Sequence, residues 1–243
     1  MAGAVTSVVL ARAKLTLSLR VVGVRGDGYH LIDAEMVTVD LADRLTFSDG
    51  DGLTVTGPAA DGVPTGPDNL VRRALAAVGR TAQVGLEKHI PAGAGLGGGS
   101  ADAAAVLRWA GSADLAVAAR LGADVPFCLV GGRARVTGIG EEVSRLPWET
   151  GEYTLATPPF GVNTAAVYRE WDALGGPRGE RRGDRVNDLQ PAALAVEPRL
   201  AAWRANLAAA TGLTPILAGS GATWFVPGAF PGPGRVVVRA DRP

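Results

Sequence analysis

The chain has a single cysteine, Cys128, among its 243 residues. An internal disulfide is therefore impossible, which is typical of a protein from a reducing compartment. There are only two histidines, so a zinc site is not expected. No apolar run approaches the roughly 18 residues of a membrane span, and the first run, Val8–Ala11, ends at a basic residue. We therefore expect a cytoplasmic protein with no signal peptide and no membrane partner.

Net charge is also absent, because 24 basic and 24 acidic side chains balance. Nothing in this balance favours nucleic acid, so a small-molecule partner is expected. Lysine is scarce: Lys14 and Lys88 stand against 22 arginines. The presence of these two lysines can be a matter of chance. Alternatively, these two positions need a compact ammonium group, which makes both lysines candidate site residues.

What the chain has in abundance is glycine, concentrated after Pro91. Five of the nine residues from Gly93 to Ala101 are glycine, and an alanine-rich helical pattern follows to about Trp109. Glycines allow left-handed backbone and close approach of a ligand, and a helix N-terminus offers free N–H groups. The segment predicts a phosphate cradle. A flexible linker is the alternative, although a linker has no need of a proline before it and a helix after it.

Three kinds of phosphate loop have to be separated. A Walker A loop requires a lysine after glycine, and no lysine follows any glycine in this chain. The dinucleotide pattern G-x-G-x-x-G is matched by Gly93, Gly95 and Gly98, but Pro91 breaks the preceding strand and no acidic residue stands at a strand end ~20 positions later. The third kind is Pro-x-x-x-Gly-Leu-Gly-Gly-Gly-Ser-x-x-Ala-Ala. This pattern resembles the ATP loop of the GHMP kinases.

Further segments match that family in the same order along the chain: Ala13–Leu15, Asp27–His30, Asp68–Leu70, Leu121–Phe127, Asn187–Leu189 and Gly219–Thr223. The resemblance implies an α+β, two-domain GHMP kinase fold. Its N-terminal domain, residues 1–146, resembles the second domain of a small-subunit ribosomal protein and carries the ATP loop. Its C-terminal domain, residues 147–243, is an α/β sandwich.

The resemblance also implies an activity. Within the family the chain is most similar to members that use ATP and Mg²⁺ to phosphorylate the 2-hydroxyl of a cytidine-diphosphate-linked methylerythritol, a step of non-mevalonate isoprenoid synthesis. A kinase for another small alcohol, such as homoserine or a mevalonate, is the alternative. A non-catalytic nucleotide-binding member is a third reading, which the presence of both Lys14 and Asp124 disfavours. A monomer or weak homodimer is expected.

The resemblance assigns Asp124 as the catalytic base, with Lys14 beside it to stabilise the alkoxide. The structural alternatives are a turn cap for Asp124 and a lysine stem packed along a strand for Lys14. Residues expected to bind ATP are Pro91, Ala92, Gly93, Ala94, Gly95, Leu96, Gly97, Gly98, Gly99, Ser100 and Ala101, with Asn69 and Lys88 on the adenosine side.

The remaining candidates belong to the acceptor. Tyr29 and Tyr168 are expected to sandwich the cytosine, with His30 at its edge, although either tyrosine alone is more often core filling. Acceptor-side residues implied by the resemblance are Thr16, Thr164, Gly219, Ser220 and Gly221. Thr16 stands where many relatives carry asparagine, and the polar loop 175–184 has no recognisable counterpart, so both departures concern the acceptor.

The local patterns also predict individual strands and a helix. Residues 5–19 read as a strand pair or as one long interrupted strand, with a break near Ala11–Ala13, because the apolar residues change parity there. Residues 127–130 read as a strand, with 133–137 as its hairpin partner. Asp114 is expected to cap a short helix that ends at Leu121.

Overall fold

The computed structural model describes residues 7–176 and 187–242. The strands in these ranges are β1 Ser7–Val24, β2 His30–Ser48, β3 Gly52–Thr56, β4 Gln83–Glu87, β5 Arg133–Gly138, β6 Glu142–Arg145, β7 Glu152–Ala156, β8 Ile216–Leu217, β9 Trp224–Pro227 and β10 Val236–Arg239. The helices are α1 Leu70–Ala77, α2 Gly98–Trp109, α3 Leu115–Leu121, α4 Val125–Val130, α5 Thr164–Ala173, α6 Gln190–Val196 and α7 Leu200–Thr211. All but the first two residues of the predicted loop 175–184 lie outside the described residues.

The first sheet is built around the long antiparallel pair of β1 and β2. Strand β2 also pairs with β5 through its first half and with β4 through its last residues, and β3 runs parallel to β4. The pairing of β1 shifts register between Arg12 and Lys14, which confirms the predicted break. Beyond the shift Lys14 faces the central cavity, while Leu15 packs in the core.

Helix α2 lies at the centre of this part of the chain. Its residues 101–107 are all buried, and it packs against α1, α4 and β1. Alanine at four of these seven positions lets the neighbouring elements approach closely, and Val106 and Leu107 each contribute about 1.5–3 kcal/mol of apolar burial. The helix that follows the glycine loop is therefore rigidly held.

The second sheet has the order β10-β7-β9-β8 and is antiparallel throughout. It is tied to the first sheet near its end, because Asp241 N donates to Thr38 O over 2.9 Å and Val39 bridges Ala240. The first sheet ends at Arg145 and the second begins at Glu152, which is the interval where the domain boundary is proposed.

The predicted strand 127–130 is wrong. These residues belong to helix α4, which begins at Val125 and has Pro126 in its first turn. Short apolar runs do not distinguish a buried strand from a buried helix by periodicity, and proline in the first turn favours the helix. Strand β5 accordingly pairs with β2 and β6 rather than with 127–130. The cap at Asp114 is confirmed, since its carboxylate accepts from two backbone N–H groups of α3.

No helix in the described ranges is both long enough and apolar enough to cross a membrane.

Candidate active site

A cavity of about 980 Å³ opens between the two sheets, a size suited to a nucleotide and a second small molecule. Most of the predicted site residues line it: Lys14, Tyr29, His30, Asn69, Lys88, Pro91, Ala92, Gly93, Ala94, Gly95, Gly97, Gly98, Gly99, Ser100, Asp124, Thr164, Tyr168, Gly219 and Ser220. The other four candidates are buried outside the lining: Thr16, Leu96, Ala101 and Gly221.

The glycine loop is shaped by close backbone contacts. Gly95 has φ +77°, and a Cβ atom there would lie 2.2 Å from the carbonyl oxygen of Ala218. Gly97 is the N-cap of α2, also in the left-handed region, and makes no side-chain capping bond. The first N–H groups of α2 thus face the cavity without a side-chain cap, which is the arrangement that binds phosphate oxygens.

The second glycine turn, residues 219–221, lies against the first. Gly93 O accepts from Ala222 N over 3.3 Å, and Ala94 O accepts from Thr223 N over 3.1 Å. A Cβ atom on Gly219 would lie 3.2 Å from Nζ of Lys14. The two glycine turns therefore meet at the lysine, although more than 100 residues separate them in the chain.

Lys14 and Asp124 form an ion pair at this meeting point. Lys14 Nζ lies 3.3 Å from Asp124 Oδ2 and donates to Thr16 Oγ1 over 3.1 Å. The lysine side chain is 5% exposed and that of Asp124 is 32% exposed, so the carboxylate is the member that a ligand can reach. Asp124 is the N-cap of α4 but makes no capping hydrogen bond with its side chain. A turn-capping role therefore does not account for its carboxylate.

Lys88 lies directly beneath the glycine loop, but its ammonium group is already engaged. It is ion-paired with Asp43 and lies 2.8 Å from Asp102 Oδ2, and all three side chains are buried. The sequence predicts Lys88 as a ligand on the adenosine side of ATP, and this stays a prediction. In the structure Nζ lies in this cluster under Gly98, where a Cβ atom would lie 3.2 Å from it.

Neither carboxylate of this cluster was expected from the sequence. Asp43 Oδ1 accepts from the backbone N–H groups of His89 and Ile90, so it holds the segment that enters the loop. Asp102 Oδ1 is buried without a hydrogen-bond partner among the described residues. Burial, together with the negative charge of Asp43, raises the pKa of Asp102 to about 7, and the charge of Lys88 opposes this rise. An aspartate in an otherwise alanine-rich buried helix was the available signal.

Asn69 is the N-cap of α1. Its Oδ1 accepts from Val71 N over 2.8 Å and its Nδ2 donates to Pro64 O over 2.6 Å. The side-chain amide thus donates one hydrogen bond to the protein and accepts one from it. These bonds fix its position in the wall of the cavity. Binding of the nucleotide by Asn69 stays a prediction.

The far end of the cavity is aromatic. His30 stacks on Tyr168 with ring centroids 4.7 Å apart, and its Nε2 lies 2.8 Å from Asp172 Oδ1. Burial raises the pKa of the Tyr168 phenol, and the negative charge of Asp124 acts in the same direction. Tyr29 is 59% exposed. The predicted sandwich of a base between Tyr29 and Tyr168 stays a prediction, and in this structure it is His30 that stacks on Tyr168.

Two further residues join these ends. Thr164 Oγ1 and Ser220 Oγ lie 2.8 Å apart, so α5 is hydrogen-bonded to the second glycine turn. The sequence did not identify Asp172 of α5 as a candidate. It stands four residues after Tyr168 on the same helix, a spacing that puts the two side chains on one face.

The family model described as the GHMP kinases N terminal domain matches residues 69–132, which include the glycine loop and Asp124. The chain is 41% identical to a 4-diphosphocytidyl-2-C-methyl-D-erythritol kinase of Cereibacter sphaeroides, with 88% of this chain and 87% of that protein covered. It is 40% identical to the kinase of the same name from Pelotomaculum thermopropionicum, covering 89% and 87%.

Solved structures show the same similarity. A crystal structure of 4-(cytidine 5'-diphospho)-2C-methyl-D-erythritol kinase superposes with a TM-score of 0.72 at 35% identity, over 90% of this chain and 89% of that one. A homoserine kinase from Cytophaga hutchinsonii superposes with a TM-score of 0.58 at 18% identity, over 95% and 94%, and shares the fold alone. The predicted α+β, GHMP kinase fold is confirmed.

Proposed function

Because the chain belongs to the 4-diphosphocytidyl-2-C-methyl-D-erythritol kinase family of the GHMP kinases, we propose that it transfers the γ-phosphoryl group of ATP to the 2-hydroxyl of 4-diphosphocytidyl-2-C-methyl-D-erythritol. The observation that carries the proposal is the Lys14–Asp124 ion pair, which lies between two glycine turns in one cavity with an aromatic pocket. The chain is a small-molecule kinase that uses ATP, and its reaction supplies isoprenoid precursors.

Phosphoryl transfer requires a positioned hydroxyl and a base for its proton. In our mechanism Asp124 accepts the proton of the acceptor hydroxyl. The hydroxyl oxygen bonds to the γ-phosphorus, and the bond from that phosphorus to the bridging oxygen breaks, so ADP leaves with the electron pair. The buried ammonium of Lys14 offsets the negative charge that develops on the acceptor oxygen.

The phosphates of ATP bind the glycine loop and the first turn of α2. Hydrogen bonds from backbone N–H groups to charged oxygens are worth about 1.5–3 kcal/mol each. Gly95 and Gly97 are required because a side chain at either position meets protein atoms closer than 3.0 Å. The loop is consequently pre-organised for the anion.

Mg²⁺ fits this cavity as a partner of the substrate. Among the described residues no group of three or more His, Cys, Asp or Glu could hold a metal by itself. Mg²⁺ usually keeps several waters and binds phosphates with one or two carboxylates, so this chain needs to supply few ligands. Asp124, partly exposed in the cavity, is the residue that would hold it through a water. When bound, the ion neutralises charge on the phosphates.

The acceptor occupies the other end of the cavity. Its cytosine binds near His30, Tyr29 and Tyr168, and its diphosphate lies along Gly219 and Ser220. The N–H groups of these two residues donate no backbone hydrogen bond within the described part of the chain, so they can bind phosphate oxygens. Thr164 supports this turn through its hydroxyl contact with Ser220. Thr16 sits beside the ammonium of Lys14, near the place where the acceptor hydroxyl has to lie.

An ATP-consumption assay against a panel of alcohols tests the proposal. The panel contains the cytidylyl substrate, homoserine and mevalonate, and the Asp124→Asn variant provides the blank for contaminating ATPase. We expect turnover with the cytidylyl substrate alone. Turnover with homoserine or mevalonate in its place would contradict the assigned acceptor while leaving the kinase chemistry intact.

A further inference from the structure

The contact between His30 and Asp172 joins two elements that are 142 positions apart in the chain. His30 begins β2, and Asp172 lies in the last turn of α5. The imidazole is held on three sides: it stacks on Tyr168, meets Trp171 edge-on at 5.3 Å, and points Nε2 at the carboxylate of Asp172. Stacking on a base would not by itself require the imidazole to be held in one rotational orientation within its plane, and these contacts hold it in one.

The carboxylate decides which ring nitrogen carries the proton. An ionised carboxylate accepts hydrogen bonds only, so Nε2 must donate to it. In the neutral imidazole the other nitrogen, Nδ1, is then left as an acceptor. Nδ1 has no hydrogen-bond partner among the described residues, and His30 and Asp172 both line the cavity.

An acceptor at this place distinguishes the two pyrimidines. Cytosine carries an amino group on C4, which donates hydrogen bonds, whereas uracil carries a carbonyl oxygen there, which only accepts. Two acceptors facing each other leave both buried groups unpaired, and sites built for hydrogen bonding reject such a ligand strongly.

We propose that Asp172 is a specificity-determining positioning residue: it holds His30 in the tautomer with Nδ1 free, so that Nδ1 accepts from the exocyclic amine of cytosine and the site rejects uridylyl compounds. This inference rests on the proposed function, since it concerns the base of the acceptor. Asp172 acts through His30 and touches neither ATP nor the reacting hydroxyl.

The tautomer can be measured without any substrate. The chain has only two histidines, so the ¹⁵N NMR spectrum of its imidazoles is simple, and a His89→Gln variant assigns the His30 signals. At about pH 8, where an ordinary imidazole is neutral, we expect Nε2 of His30 to be protonated and Nδ1 to be unprotonated. The opposite tautomer, or a ring protonated on both nitrogens, would overturn the proposal.

Discrimination is measured by calorimetric binding of CDP and UDP, with saturating ADP to fill the donor site. Asp172→Asn removes the charge that imposes the tautomer, so we expect the CDP-over-UDP preference to fall about 10-fold or more, through weaker CDP binding. Glu170→Gln is the matched control, because it removes the same charge from the same helix at a side chain outside the cavity lining. It should leave the preference unchanged.

The outcomes separate this inference from the function on which it rests. A wild-type preference for CDP that Asp172→Asn retains would overturn the role of Asp172 alone. Equal losses for CDP and UDP in that variant would show a structural role and overturn it as well. If the wild type binds neither CDP nor UDP more tightly than the other, the cytidylyl pocket itself is contradicted. With the full substrate, KM should rise in Asp172→Asn while kcat and the KM for ATP stay unchanged.

Discussion

The Nζ atom of Lys14 lies 3.3 Å from Oδ2 of Asp124, beneath the point where two glycine turns touch. Lys14 is buried and Asp124 is open to the cavity, so the pair presents a carboxylate whose charge partner is fixed. The backbone of Lys14 also donates to Leu96 O over 3.0 Å, which ties the pair to the glycine loop. The ion pair and the glycine loop are therefore held as one unit.

Asp124→Asn should leave the binding of Mg²⁺-free ATP unchanged and lower kcat about 10²-fold or more, because an amide cannot accept the hydroxyl proton. Steady-state kinetics and nucleotide binding measure the two effects separately. Asp114→Asn is the control: it changes a helix cap outside the cavity lining and keeps a good capping residue. Near-normal turnover of Asp124→Asn would remove Asp124 as the base.

Lys14→Arg should fail to restore the activity lost in Lys14→Met, although it keeps the charge. Nζ is already within 3.2 Å of a Cβ atom built on Gly219, and a Cβ atom on Gly97 would lie 2.8 Å from Cγ of the lysine. Both glycine backbones therefore pack close to the lysine, and we expect the larger, planar guanidinium to displace one of the two turns or to leave the position of Nζ. We expect both variants to lose about 10²-fold in kcat. An arginine variant of normal activity would show that charge alone suffices here.

Gly95→Ala should destabilise the protein and abolish ATP binding. Its Cβ atom would lie 2.2 Å from Ala218 O, and its φ of +77° is unfavourable for alanine. Gly111→Ala separates the cost of the left-handed backbone from the cost of the clash, since Gly111 has φ +74° but no atom within 4 Å of the added methyl. Urea unfolding should show about 1–2 kcal/mol for Gly111→Ala and about 1–3 kcal/mol more for Gly95→Ala. Equal losses would contradict the close contact.

Lys88→Met should be strongly destabilising, by about 3–5 kcal/mol, because it leaves two buried carboxylates without their cation. The free energy of unfolding from urea titration measures this. ATP binding should weaken only indirectly, because the loss of the cluster beneath the glycine loop makes the loop's conformation less fixed. If Lys88→Met keeps its stability and loses ATP affinity alone, Lys88 is a direct nucleotide ligand, as the sequence predicts.

Asp102→Asn should become relatively more stable as the pH rises. Burial raises the pKa of Asp102 from 3.8 to about 7 in the folded protein. For such a group the stabilising contribution is complete below the unfolded pKa and is lost as pH rises through the folded pKa. The wild type therefore loses stability between about pH 4 and pH 7 through this residue, and the amide does not.

Urea unfolding of both proteins at pH 5 and pH 8 tests this. The difference in unfolding free energy should move in favour of Asp102→Asn at the higher pH. A constant difference would mean that Asp102 titrates at an ordinary pKa despite its burial.

Helix α4 shows where sequence reasoning reached its limit. Residues 127–130 form a short apolar run, so periodicity does not decide their type, and in the structure they are helical and pack beside α2. The motif around them was nevertheless interpreted correctly in position, since Asp124 stands at the start of that helix and faces the cavity. The wrong prediction of a strand did not change the predicted position of Asp124, because the turn that contains it ends at the same place before a strand or a helix.

Lys88 shows the opposite case. The scarcity of lysine and the position of Lys88 before the loop make it a candidate site residue. Its two carboxylate partners, however, are 45 and 14 positions away in the chain. No spacing rule relates Asp43 to Lys88, because they meet only when β2 pairs with β4.

The sequence by itself determined the phosphate loop, the family and the chemical class. These follow from local properties: left-handed glycines, a helix start and short motifs need only neighbouring residues. The tertiary structure alone decided which groups are paired: Lys14 with Asp124, Lys88 with Asp43 and Asp102, and His30 with Asp172. Such pairs depend on how strands and helices that are distant in sequence pack together, and no local pattern specifies that packing.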